Sequence, residues 1–135
     1  LSLAPVKTSV ELHLKVGLDR IYEKSTRQID YLITMFDRYL APLGFELKSP
    51  REKSHRGSHI AIAHLEAYRI CRALIDGDTG NQGIIPDFRE PDIIRLGITP
   101  LYLGYEDIIL AVAEIENIIL KELYTNFSNE REEVT

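Results

Sequence analysis

Val10 and Leu14, with Leu12 and Val16 beside them, recur at helical spacing from about residue 5 to Gly17, and Pro5 stands where a first-turn proline belongs. This predicts a first helix. Beyond Gly17 a longer stripe runs through Leu18, Ile21, Tyr22, Ile29, Leu32, Ile33, Phe36 and Leu40 until Pro42 and Gly44 stop it. Its other face carries Arg20, Lys24, Arg27, Asp30, Asp37 and Arg38 and reads as a mixed-charge solvated surface with no special function.

The period then changes from helical to alternating. Phe45 and Leu47 alternate with Glu46 and Lys48 ahead of Ser49-Pro50, as in a short strand. After the polar connection REKSHRGS, the segment from His59 to His64 places Ile60 and Ile62 on one side and Ala61 and Ala63 on the other. That predicts a central strand with one bulky face and one that leaves room for close packing. Residues 65–76 return to helical spacing, and the stretch DGDTGNQG that ends them reads as a loop whose glycines can supply positive φ angles. Ile84-Ile85 with Phe88, and then Ile93 to Ile98, supply two more strand candidates separated by Pro91, and Thr99-Pro100 closes the sheet region. Gly104 as N-cap, Glu106 and Asp107 in the first turn, and a stripe of Ile108, Val112, Ile115, Ile119 and Leu123 predict a last helix to about Tyr124. The polar residues 128–135 form a tail. The predicted fold class is α+β: a small antiparallel-type sheet with helices packed on one face. The first helix has few partners within so small a fold and is expected to pack against something else.

Composition narrows the function classes. The chain has 135 residues, 44% of them hydrophobic, with 16 Lys+Arg against 21 Asp+Glu for a formal charge of −5. That suits one globular domain, and the acidic balance argues against a nucleic-acid partner, which would show a basic face. No apolar stretch approaches the roughly 18 residues of a membrane span, and the first residues lack the charged and apolar regions of a signal peptide. A soluble, cytoplasmic protein is expected, and the absence of an initiator Met suggests a fragment or processed product. The lone cysteine, Cys71, falls within the helical stripe of Ala67, Ile70 and Leu74 and reads as a small core hydrophobe in a reducing compartment.

Candidate chemistry is sparse. His55, His59 and His64 invite a metal reading, but His59 and His64 lie an odd number of positions apart on one predicted strand and so face opposite ways, while His55 is in the polar connection. Ser54 and Ser58 lack a nucleophile-elbow context, and the DGDTGNQG loop lacks the Lys-Ser or Lys-Thr pair of a phosphate cradle. Arg95 is more informative. It interrupts IIRLGI, sharing one strand face with Ile93 and Gly97 while Ile94, Leu96 and Ile98 share the other. A partly sequestered guanidinium calls for a carboxylate or phosphate partner, and Gly97 leaves space beside it. The partner is either internal, Glu90 or Asp92 for instance, or a substrate.

The run IIPDFREPDIIRLGITPLYLGYEDI, residues 84–108, resembles the C-terminal portion of kynureninase, a pyridoxal-phosphate-dependent enzyme that hydrolyses kynurenine to anthranilate and alanine. SLAPVKTSVELHLKVGLDRIYEKS, SPREKSHRGSHIAIAH and EAYRICRALI resemble further family segments in the same order, so the likeness covers nearly the whole chain. It implies an α+β small domain of a fold-type I enzyme over residues 1–127, with the helix at 1–17 set against a large domain that precedes it. It also implies that Arg95 binds the substrate α-carboxylate, with Tyr102 as a neighbour, in an enzyme that works as a homodimer. None of the six lysines, Lys7, Lys15, Lys24, Lys48, Lys53 and Lys121, stands in the context of the family's cofactor-binding lysine. The chain alone is therefore expected neither to hold pyridoxal phosphate nor to catalyse. The alternatives are the small domain of another fold-type I enzyme, such as a class V aminotransferase, and a stand-alone interaction module.

Overall fold

The computed structural model describes residues 4–76 and 84–130. Helix α1 (Ala4–Val16) and helix α2 (Leu18–Met35) meet at Gly17, whose φ of 91° turns the chain between them. Only glycine enters that region without steric cost. The helical path of α2 continues as predicted to Leu40, but as a wider π turn over Phe36–Leu40 and a 3₁₀ turn over Ala41–Leu43, where Pro42 has no N–H to donate. Gly44, at φ 93°, ends it.

Four strands follow: β1 (Glu46–Leu47), β2 (His59–Ala63), β3 (Asp87–Arg89) and β4 (Ile93–Gly97). They form one antiparallel sheet in the order β1-β2-β4-β3, so β2 and β4 are central. Helix α3 (Ala67–Asp76) separates β2 from β3, and helix α4 (Tyr105–Leu120) follows β4, with a 3₁₀ turn over Leu123–Asn126. Two expectations shift. The third strand is Asp87–Arg89, with Ile84 and Ile85 before it, and the buried stripe of α4 closes on Ile118, with Ile119 only partly covered. The loop expected at 76–83 falls, after Asp76, outside the described residues, as do the last residues of the tail.

Alternation along β2 and β4 sorts the sheet into two unlike faces. Ile60, Ile62, Ile94 and Leu96 point to the helices and are at most 7% exposed, packed against Ile29, Leu32 and Phe36 of α2, Ile70 and Leu74 of α3, and Val112 and Ile115 of α4. Cys71 belongs to this core, and burial, with the charge of Asp87 adding to it, pushes its thiol up to about 12. The helices thus cover one face, as the pattern predicts. Along the other face lie His59, Ala61, Arg95, Gly97 and Asp87. Helix α1 contributes nothing to the core, and Val6, Val10, Leu14 and Leu18, with Tyr22 of α2, are each at least 50% exposed.

Candidate functional site

Arg95 occupies the middle of β4 on the face the helices leave open. Its register partners are Ala61 on β2 and Asp87 on β3. Residues directly opposite in an antiparallel pair point to the same face with Cβ atoms about 5 Å apart, so Asp87 is in reach of Arg95 while Ala61 leaves its other flank low. The Arg95 Nε donates to Asp87 Oδ2 at 2.6 Å, and Nη2 donates to the same oxygen. Nη1 has no hydrogen-bond partner among the described residues. Asp87 Oδ2 also accepts from Arg89 Nε at 3.2 Å. The hydrogen bond from Arg95, opposed by the cost of burial and aided by the charges of both arginines, holds the Asp87 carboxyl below the usual carboxylate range. Two guanidinium groups share one carboxylate, so this patch keeps a net positive charge.

The acid that reaches Arg95 is therefore Asp87, where the sequence pattern pointed to Glu90 or Asp92. Those two residues lie in the turn of the β3-β4 hairpin, whereas Asp87 is carried across from Arg95 by the ladder. The signal was present in the sequence. A connection of Glu90-Pro91-Asp92 between paired strands sets Arg89 against Ile93, Phe88 against Ile94 and Asp87 against Arg95. Centring the strand on Ile84-Ile85 with Phe88, rather than on Asp87–Arg89, hid it.

The space beside Arg95 is open. A Cβ added to Gly97 would meet nothing within 4 Å, and Arg95 itself is 37% exposed. Tyr102 sits in the turn after β4, its N–H bonded to Thr99 O and its side chain 77% exposed, with no hydrogen bond or ring contact joining it to Arg95. That turn is tied to α2. Lys24 Nζ donates to Pro100 O at 2.5 Å and Leu103 O at 3.2 Å, and Gln28 Nε2 donates to Leu103 O at 2.8 Å. Lys24, read from the sequence as part of a solvated face, is instead drawn onto these carbonyls. Neither Lys24 nor Gln28 could have been connected to residues some 75 positions away from local pattern alone.

The histidines stay apart. His55 and His59 are exposed, and His64 lies just past the end of β2, half-buried. The His64 ring packs on Phe45 with centroids 4.5 Å apart, and its Nδ1 accepts from the Glu66 N–H. Burial lowers the His64 pKa, opposed by a hydrogen bond with the Leu43 backbone and by the charge of Glu66. Among the described residues no group of three or more His, Cys, Asp or Glu side chains is placed to hold a metal ion. No described helix is long and apolar enough to cross a membrane.

Four of the six lysines are engaged by other groups of the domain. Lys24 is held on backbone carbonyls, Lys48 on Glu46 and Lys53 on Asp30, while Lys7 pairs with Glu11 along the exposed α1. Arg56, whose side chain is 4% exposed, is also committed to Asp30. Asp30, pulled down by both cations against the cost of burial, stays ionised between them.

Comparison with known proteins gives a consistent result. Residues 21–115 match the model of the kynureninase C-terminal domain. The chain is 40% identical over 134 residues to a kynureninase of Geobacillus thermodenitrificans (strain NG80-2) and 39% identical over 134 residues to one of Bacillus thuringiensis subsp. konkukian (strain 97-27). A kynureninase of Shouchella clausii (strain KSM-K16) is 35% identical over 133 residues. In each case 98 or 99% of this chain is covered but only 30% of the relative, so the chain spans under a third of the length of these proteins. A match over most of the chain to the family model, with the α+β architecture and the β3-β4 hairpin that carries Arg95, places this chain in the kynureninase C-terminal domain family.

Proposed function

We propose that this domain supplies the substrate-carboxylate site of a kynureninase-type hydrolase, with Arg95 as the residue that binds the α-carboxylate of kynurenine. The observation that carries this reading is the asymmetric hold on the guanidinium. Asp87 takes the Nε edge, which fixes the plane of the group, and Nη1 has no partner among the described residues. A second carboxylate can then approach the outer edge and form the paired planar contact that arginine favours. Ala61 and Gly97 keep the surface beside it low enough for that approach. Asp87 is a positioning residue, since it acts through Arg95.

The rest of the enzyme supplies what this domain does not. Pyridoxal phosphate, the cofactor implied by the family, would be held by the large domain and would supply a sink for carbanion charge when bound. The contribution of Arg95 is to fix the orientation of the amino acid before reaction. The exposed stripe of Val6, Val10 and Leu14 on α1, continued by Leu18 and Tyr22, is where the large domain docks. Isolated from that domain, the chain is inactive, and the complete enzyme works as a homodimer.

The test is Arg95→Ala in the full-length enzyme, assayed for kynurenine cleavage. Removing one member of a desolvated charge pair costs about 2 to 5 kcal/mol, or about 30- to 5,000-fold in kcat/KM. A kcat/KM within threefold of the parent would overturn the assignment. An absorbance titration of the 135-residue chain with pyridoxal phosphate checks the cofactor's place, because a stable visible band would put its ligands in this domain.

A further inference from the structure

We propose that His59 is a second ligand of the substrate α-carboxylate, and that Gly97, directly across the ladder from it, is the gap over which the substrate reaches both His59 and Arg95. The proposal rests on the carboxylate-binding reading above and adds a residue to that site. His59 pairs with Gly97, and Ala61 with Arg95. Residues two apart on a strand share a face, so all four project from the side that the helices leave open. Of the six positions that β2 and β4 give this face, Ala61, Ala63, Ile93 and Gly97 are apolar, and only His59 and Arg95 carry hydrogen-bonding side chains. These two are diagonal neighbours, about 7 to 8 Å apart at the backbone, a span that an imidazole and a guanidinium can close on one carboxylate from two sides.

Two observations connect this pair to a ligand. The first is Gly97. Among the described glycines positive φ is confined to Gly17 and Gly44, and a Cβ added to Gly97 would meet nothing within 4 Å. Neither backbone conformation nor packing inside the domain therefore requires a glycine here, although the ladder runs through it and on to Ile98, whose N–H donates to Ser58 O at 2.7 Å. A glycine in a ladder costs conformational entropy and gives its cross-strand partner nothing to pack on; where the fold does not demand it, it marks the close approach of a ligand or another backbone. The second is His59 itself. It is exposed, and among the described residues its ring makes no hydrogen bond, ion pair or ring contact. A carboxylate accepts at about four lone-pair sites, of which the outer edge of Arg95 takes two, so a ring N–H of His59 can take a third. Asp87 does not compete, because β4 lies between it and His59.

The experiment uses the full-length holoenzyme with His59→Ala, His59→Gln and Gly97→Val, reading Tm, kcat and KM for kynurenine and the Ki of decarboxylated kynurenine, which lacks the group in question. His59→Ala is expected to raise KM about tenfold, with kcat moved less than about threefold and the Ki of the decarboxylated analogue held within about twofold. His59→Gln, which keeps an N–H donor, should recover most of the loss. Gly97→Val should hold or raise Tm and raise KM at least as much, because its side chain fills the gap. In an Arg95→Ala background, His59→Ala should cost less than in the parent, because both residues hold one carboxylate. A KM within about twofold of the parent in His59→Ala or in Gly97→Val would overturn the proposal. An equal rise in KM and in the Ki of the analogue would do so too, since the contact would then not be to the carboxylate. A lowered Tm in Gly97→Val would mean that protein rather than substrate packs over Gly97, which likewise overturns it. Arg95→Ala measured in parallel separates the two readings: if it leaves KM unmoved, carboxylate binding fails, whereas a large effect there with silent His59 variants refutes only the His59 contact.

Discussion

Neighbouring residues on β4 should fail in opposite ways when truncated. Ile94 is 0% exposed and stands between Ile62 and Phe88 in the ladder, on the helix side of the sheet, while Arg95 faces away from the helices. Ile94→Ala removes three carbon atoms from the core. At about 0.8 kcal/mol per buried methylene the transfer loss is about 2.4 kcal/mol, and an unrelaxed cavity brings the total to about 2 to 5 kcal/mol. For 135 residues the entropy of unfolding is about 0.28 kcal/mol per degree, so Tm should fall by about 7 to 18 °C. A domain of this size is stable by about 7 to 20 kcal/mol, so the variant still folds at 25 °C. Arg95→Met removes only a pair whose members are 37% and 46% exposed, and Tm should move by no more than about 3 °C. Differential scanning calorimetry of the 135-residue chain and both variants measures this directly. Equal losses of Tm, or a larger loss for Arg95→Met, would mean that the two faces of β4 have been assigned wrongly.

Two further outcomes follow from the same geometry. Ala61→Val adds a β-branched side chain directly opposite Arg95 on the open face, so Tm should hold or rise while KM for kynurenine in the full-length enzyme increases; an unchanged KM would show that the ligand does not approach over Ala61. The His64 pKa is lowered on folding, so below the ordinary histidine value of 6.5 the unfolded chain binds more protons than the folded one. The contribution of His64 is therefore complete above that value and is lost as pH falls through the lowered folded pKa. Urea midpoints between pH 7.5 and 5 should fall for the parent chain and fall less for His64→Gln, and parallel slopes would refute the assignment.

Period and punctuation were enough to read most of the fold. The alternation of Ile60 to Ala63 and of Ile93 to Ile98 set which side chains enter the core, because a strand has a side-chain period of two and one face must be buried. The helices were legible for the same reason, as were their stops at Gly17 and Gly44, where positive φ selects glycine. Arg95 stood out because a charge at an alternating position between apolar neighbours is costly without a partner. What hydrophobic period alone did not decide was the identity of that partner, because it drew the third strand toward Ile84-Ile85 and away from Asp87–Arg89. Hydrophobic period carries no information about which strand lies alongside, and only the β3-β4 register brings Asp87 rather than Glu90 or Asp92 to the guanidinium. The same holds for Lys24 and Gln28, whose roles on the Thr99–Leu103 turn exist only once α2 is packed against the end of β4. Local propensity writes elements and faces into the chain, whereas contacts between distant polar groups depend on how those faces are stacked, and that is settled by burial of the shared core.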